Sequence, residues 1–552
     1  MQRLVEALTR PEAYPHPVDS VCVVQTHISA VFLVGPYAYK VKKPVEFDFV
    51  DFGTVERRCH FCHEEVRLNR RLAPEVYHGV VPITAGPTGP RMSDAVLDDP
   101  EETAIPAADG DVVEWAVRME RLPQERTLKS LLRQACFDRD DETDLLRRVA
   151  RLLVGFHADA DRGRDISGSA DFRAVAAKAE DNLDELEDAV GTTVSRAVLA
   201  RLRAYSERAL NRLRPLIEAR ARADVPCDGH GDLRLGHVYH LGDGSPDGRL
   251  VVVDCVEFND RFRHADPVAD IAFLTMELEF EDRPDLAEVF TAHYLEAADD
   301  PRGAELLPYY ETYRDLVRGK VRTLTANDTE MPQDEREKAA GRAIRHFLSA
   351  LGRIAPPNDR PALVILAGLP GVGKSVLARG LVEAADLQWI DTDRVRKRIA
   401  ADREPGNATG FGEGIYTPEW TERTYAACLR EARSVLFDGG RVVVEGSFRT
   451  EGRRTEFLEA ARALGVPAVL LVCQADRETV RRRLLDREQN GVDAEASDAD
   501  WRIYREMERR WEPLDRTRPE MHRIPTDRSP DEALRDALEI LQQAGLQGSD
   551  QS

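Results

Sequence analysis

The stretch ALVILAGLPGVGKSVLARGLVEAA, residues 362–385, constrains this chain more than any other. Its first part is an unbroken apolar run, which predicts a strand buried on both faces. The run SVLARGLVEAA after it predicts a helix. Between them Gly368, Gly373, Lys374 and Ser375 fit G-x-x-x-x-G-K-[ST]. Such a loop aims backbone N–H groups and a helix N-terminus at one point, an arrangement suited to phosphate. Gly368, Leu369, Pro370, Gly371, Val372, Gly373, Lys374 and Ser375 are therefore candidate ATP-binding residues. Lys374 is expected to reach the β- and γ-phosphates and Ser375 to ligate magnesium. Three more apolar runs, in LQWIDTD, RVVVEGSF and AVLLVCQAD, alternate with helical segments. That alternation predicts an α/β P-loop NTPase fold over 362–545, a parallel sheet with helices on both faces.

Within this part, WIDTDRVRKRI puts Asp391 and Asp393 at a strand end, and VVVEGSFR ends another strand at Glu445. ETVRRRLLDRE supplies a row of arginines. Together these resemble the small P-loop kinases of metabolites, antibiotics or polynucleotide ends, such as the gluconate kinase-like and chloramphenicol phosphotransferase-like enzymes. The resemblance implies that Asp393 is base or substrate clamp, with Arg396 following in D-x-x-R and Asp391 beside it as substrate-side candidates. It also implies that Glu445 supports magnesium and that Arg482 and Arg487 are lid arginines. A carboxylate at 393 can take the proton of an acceptor hydroxyl. The plainer alternatives are a helix N-cap for Asp393 and a solvated basic face for the arginines. Residues 403–425, REPGNATGFGEGIYTPEWTERTY, are expected to shape the acceptor pocket.

The N-terminal part carries a second set of motifs. SVCVVQ, AVFLVG and AYKVKKPV predict a small antiparallel sheet, and a helix is expected at about 54–73. Downstream come HGDLRLGHVYH at 230–240, VVVDCVEFND ending a strand at Asp254, and DPVADIAFL at 266–274. These resemble the aminoglycoside phosphotransferase-like family, which is related to protein kinases. The resemblance implies an α+β bilobal kinase-like fold. It implies Lys40, with Lys42 second, as the ATP lysine, Glu65 as its partner, and VRMERLPQERTL as a hinge with Met119 against ATP. Asp232 would be the catalytic base and Asp254 a metal ligand. His230 is expected to orient the loop, and His240 to be a surface strand residue. Two features depart from the pattern. The turn THIS lacks glycine, so Thr26 and Ser29 hydroxyls would have to serve phosphate. His237 stands where the family has a metal-holding Asn, and magnesium prefers oxygen.

Length and charge bound the rest. A chain of 552 residues implies two to four domains. The expected division is a kinase-like domain at 1–352 (N-lobe about 1–122, C-lobe about 123–352), a linker at 353–361 and the P-loop domain at 362–545. A net charge of −22 makes nucleic-acid binding unlikely. No apolar run suits a membrane span and no signal peptide is legible, so a cytoplasmic protein is expected. CHFCH at 59–63 matches a haem-attachment pattern formally but sits in an amphipathic helix, where two half-buried thiols are the better reading. The expected function is ATP- and magnesium-dependent phosphoryl transfer to the hydroxyl of an unidentified small molecule. The alternative is a P-loop ATPase or kinase regulated by a non-catalytic N-terminal ligand-binding module.

Overall fold

The computed structural model describes all residues except 48–49, 88, 99–110, 243–247, 330, 402–413, 491–499, 516 and 549–552. The chain forms two compact units, residues 1–178 with 210–311, and residues 179–209 with 312–552. Among the described residues no helix is long and apolar enough to cross a membrane.

The first unit is α+β. Its main sheet comprises β1 (Val21–Gln25), β2 (Ser29–Val34), β3 (Tyr37–Lys42), β4 (Tyr77–Gly86), β5 (Gly89–Met92) and β6 (Val112–Glu120). The order is β1-β2-β3-β6-β4-β5, antiparallel throughout. Alternation decides what each face carries. Tyr39 and Val41 of β3 join Phe32, Val34 and Ile83 in one apolar core. Lys40 and Lys42 take the opposite face, where the helix Val55–Asn69 packs Cys62 and Val66 on Val80 and Val117. Thr54 caps that helix by accepting from Arg57 N, satisfying one of its orphan donors. Cys62 is buried, Cys59 is half-buried, and all eight cysteines are free, consistent with a packed helix.

A helical part follows, with helices Arg139–Asp159, Pro267–Phe280 and Pro284–Ala297. It carries a hairpin of Val238–Leu241 against Arg249–Val252. His240 corrects one expectation: it is buried, edge-on to Phe137, rather than on the surface. Strand alternation in a two-stranded hairpin cannot show that a neighbouring loop covers its outer face.

The second unit contains a five-stranded parallel sheet: β7 (Ala362–Ala367), β8 (Gln388–Asp391), β9 (Arg441–Gly446), β10 (Ala468–Gln474) and β11 (Met521–Pro525). Its order is β8-β9-β7-β10-β11. All of β7 is buried because both faces are covered. Leu363, Ile365 and Ala367 pack on one side with Phe457, Leu436, Phe347, Leu351 and Val198. Val364 and Leu366 pack on the other with Leu377, Leu381, Ala537 and Leu541. The prolines at 356–357 end the helix Gln333–Ile354, but the stretch after it is pinned. Arg441 donates to the carbonyls of Pro357 and Arg360, and Arg201 to that of Asp359.

Candidate functional site

The phosphate loop sits at the C-terminal end of β7. Gly371 and Gly373 have φ of +77° and +103°, conformations that side chains resist, and Gly373 opens the helix Lys374–Ala385. Lys374 Nζ donates to the Leu369 carbonyl at 3.0 Å, which folds the lysine over its own loop. Ser375 Oγ donates to Glu445 Oε1 at 2.7 Å, and Trp389 Nε1 donates to the other Glu445 oxygen at 3.1 Å. Glu445 is the penultimate residue of β9, next to the central strand, and is buried. Burial raises its pKa, while Lys374 works in the opposite direction. A hydroxyl and an oriented carboxylate form an all-oxygen pair, which fits magnesium.

The strand β8 delivers the two aspartates with different tasks. Asp391 accepts from Asp393 N at 2.8 Å and so closes the start of the helix Thr392–Ala401. Burial raises the Asp391 pKa, while the hydrogen bond from Asp393 N opposes the rise. Asp393 is not the cap. Its Oδ1 accepts from Arg396 Nη1 at 2.8 Å, and the Arg396 guanidinium lies 4.8 Å from the Tyr416 ring centre. Nearby, Tyr425 accepts from Phe448 N and is 3.2 Å from Ser447 Oγ, while the Arg453 guanidinium stacks over its ring. Of the stretch 403–425 expected to shape an acceptor pocket, residues 403–413 lie outside the described residues.

Among the arginines of the helix Arg477–Asn490, Arg483 reaches the phosphate loop. It donates to the carbonyls of Val372 and Thr526 at 3.2 and 2.7 Å. Arg482 is exposed and Arg487 half-buried. The sequence offered three consecutive arginines at 481–483, and only the helix rotation distinguishes them.

A second constellation lies in the first unit. Lys40 Nζ is 2.8 Å from both Glu65 Oε1 and Asp254 Oδ1. Lys42 pairs with Glu65 Oε2 at 2.8 Å and also with Glu257, so Glu65 is shared by two lysines. Neither the sharing nor the role of Glu257 was legible in sequence. Although desolvation opposes it, Lys40 and His237 hold the Asp254 carboxyl well below the usual range. Asp254 itself has φ +65°, a strained backbone for a non-glycine residue.

The H-G-D loop is braced from below. Asp270, in the first turn of the helix Pro267–Phe280, accepts from His230 N at 2.6 Å and Gly231 N at 2.8 Å. His230 is fully buried. Its Nε2 lies 3.1 Å from the Val253 carbonyl, and its Nδ1 accepts from Asp232 N at 3.3 Å. Burial pushes its pKa down to about 4, which favours the neutral ring. Asp232, His237 and Asp254 bring ligand atoms within 4.8 Å of one another. Met119 lies in β6 beside Ala38 and Tyr77. The turn THIS closes on itself: Thr26 Oγ1 accepts from Ser29 N and meets Ser29 Oγ at 2.9 Å.

Residues 363–514 match the model of the AAA domain family AAA_33. The uncharacterized protein Rv2004c of Mycobacterium tuberculosis H37Rv is 32% identical over 488 residues, covering 87% of this chain and 90% of its own. The uncharacterized protein Mb2027c of Mycobacterium bovis matches to the same extent. Among solved structures, a gluconokinase from Sinorhizobium meliloti 1021 aligns at 17% identity, covering 34% of this chain and 94% of its own, with a TM-score of 0.26. Kti12 from Chaetomium thermophilum in complex with ADP-AlF3 aligns at 19% identity, covering 33% and 98%, also with a TM-score of 0.26.

Proposed function

The chain belongs to the family of these mycobacterial proteins, and from its own site geometry we propose that it is an ATP-dependent phosphotransferase acting on a small-molecule hydroxyl. The observation that carries this reading is the pairing of the 368–375 loop with Glu445. A glycine-built phosphate cradle, a lysine folded over it and an oxygen pair for magnesium converge at the strand ends of one parallel sheet. Ser375 and Glu445 would hold the magnesium, whose chemistry is to neutralise charge on the phosphates. Lys374 exchanges the Leu369 carbonyl for phosphate oxygens. Arg483 keeps the loop backbone in place through the Val372 carbonyl. Asp393 accepts the acceptor's proton while Arg396 fixes its orientation. Catalysis on this account comes from positioning and charge neutralisation.

The proposal extends to the first unit as a second, kinase-like site resembling the aminoglycoside phosphotransferases. Its support is the sheet order with a helix between β3 and β4, the Lys40–Glu65 pair, and Asp254 following a strand. A second reading, a non-catalytic ligand-binding module, is favoured by one observation: the Thr26 and Ser29 hydroxyls are engaged within their own turn.

Asp393→Asn in the full chain tests the first reading. It should retain magnesium-ATP binding but lose acceptor-stimulated ADP release by about 10²- to 10⁴-fold. ADP release that ignores every sugar, aminoglycoside, nucleoside and oligonucleotide 5′-end offered would instead identify an ATPase. Calorimetric titration of Lys374→Ala with magnesium-ATP separates the readings of the first unit. One remaining site supports the kinase-like reading, and none supports the non-nucleotide module.

A further inference from the structure

We infer that Trp389 is a positioning residue of the P-loop site. Its indole N–H holds one oxygen of Glu445, which fixes the plane of that carboxylate and leaves the other oxygen to the magnesium side. The inference rests on reading Ser375 and Glu445 as the magnesium pair.

Strand register brings the two side chains together. β8 is the edge strand beside β9, and its Trp389 and Asp391 stand opposite Val443 and Glu445. Residues two apart on a strand share a face, so all four project from the same face of the sheet. Val443 packs there with Leu377 and Leu381 of the helix Lys374–Ala385, and Trp389 packs against the same group. The indole therefore lies on the side of the sheet that carries Ser375, in the first turn of that helix.

The two oxygens of Glu445 have separate donors. Ser375 Oγ donates to Oε1 at 2.7 Å, and Trp389 Nε1 donates to Oε2 at 3.1 Å. A carboxylate held by one donor can turn about its last torsion, which is soft. Two donors on different oxygens fix the torsion and decide which oxygen faces which way. The Ser375 hydroxyl has lone pairs for a cation while its hydrogen stays on Oε1. An indole N–H can only donate, so Oε2 is committed to Trp389. Glu445 is buried, so little water is at hand to replace a lost donor. Partners of this kind, one layer behind a metal-side group, orient it and tune its affinity. The indole is itself braced: the Arg394 guanidinium lies 5.1 Å from its ring centre, and Arg394 Nε stands 3.8 Å from Asp391 Oδ2.

Two substitutions separate the hydrogen bond from the packing. Trp389→Phe keeps an aromatic ring and removes the N–H. Trp389→His places a nitrogen at the same point of its five-membered ring and removes the second ring.

Calorimetric titration of the full chain with ADP reads the effect without turnover, first in EDTA and then across a series of magnesium concentrations. The heat that disappears in Lys374→Ala defines the P-loop component. Trp389→Phe should bind ADP in EDTA as wild type does, but should need about 10-fold more magnesium for the same tightening. Trp389→His should need less magnesium than Trp389→Phe, even though it packs less well and melts lower. A wild-type magnesium requirement in Trp389→Phe, or a requirement in Trp389→His as high as that of Trp389→Phe, overturns the inference. An ADP affinity that falls equally with and without magnesium also overturns it, because the indole then only packs. If magnesium leaves ADP binding by wild type unchanged, the reading of Ser375 and Glu445 as a magnesium pair itself fails.

Discussion

Lys40 and Lys42 show what a single strand position decides. Two residues apart on β3, they share a face and converge on one buried carboxylate, Glu65. The sequence suggested a choice between them, but the structure uses both, because Glu257 supplies the second negative partner. Lys42 is almost wholly buried, so its removal strands Glu257 and leaves Glu65 with Lys40 alone in a low-dielectric site. Lys42→Met should therefore destabilise the protein by about 3–5 kcal/mol, read by urea unfolding. Adding Glu257→Gln should recover part of the loss, since one stranded charge is then gone. An unchanged midpoint in Lys42→Met would contradict this account of the cluster. The same scale explains Asp391 and Asp393. Sequence spacing placed both at a strand end, but only the hydrogen bonds show that Asp391 closes the helix and leaves Asp393 paired with Arg396.

Elements were legible where one period dominates. The parallel strands read as continuous apolar runs because both of their faces are covered, and the phosphate loop followed from the residues its backbone requires. Interactions between a side chain and distant carbonyls were not legible. Arg454 is the clearest case. Fully buried in the helix Glu451–Ala463, it donates to the carbonyls of Phe448, Arg449, Glu512 and Pro513. It thereby fixes the chain that leaves β9 just after Glu445. Arg454→Leu leaves several buried carbonyls without donors and should cost at least ~3 kcal/mol. Because the loop after β9 loosens, acceptor-stimulated turnover should fall more than ATP affinity does. A variant with wild-type melting and turnover would show that the arginine positions nothing.

At the scale of the whole molecule, the linear order of motifs and the packing of the chain differ. Sequence places a division near 353–361, and we retain the 1–352 and 362–545 domains as a proposal for where the two chemistries reside. Packing, however, joins residues 179–209 and 312–354 to the unit that carries the P-loop sheet. Leu351 and Val198 lie so close to Gly439 that a Cβ there would stand 2.5 Å from Leu351. A fragment beginning at 362 exposes that apolar face. It should melt lower and aggregate more readily than one beginning at 333, which retains the helix Gln333–Ile354. Equal stability of the two fragments would contradict this view of the core. Such packing was invisible in sequence because helical periodicity shows that a face is apolar but not what it meets.

The central claim is that the P-loop site transfers phosphate to a small-molecule hydroxyl. Magnesium-dependent ADP release by the full chain, measured with a panel of hydroxyl acceptors in wild type, Lys374→Ala and Asp232→Asn, tests it most directly. The account predicts that an acceptor-stimulated activity falls at least ~10²-fold in Lys374→Ala and persists in Asp232→Asn. Full acceptor-stimulated activity in Lys374→Ala, with loss only in Asp232→Asn, would contradict it and place the chemistry at the H-G-D loop.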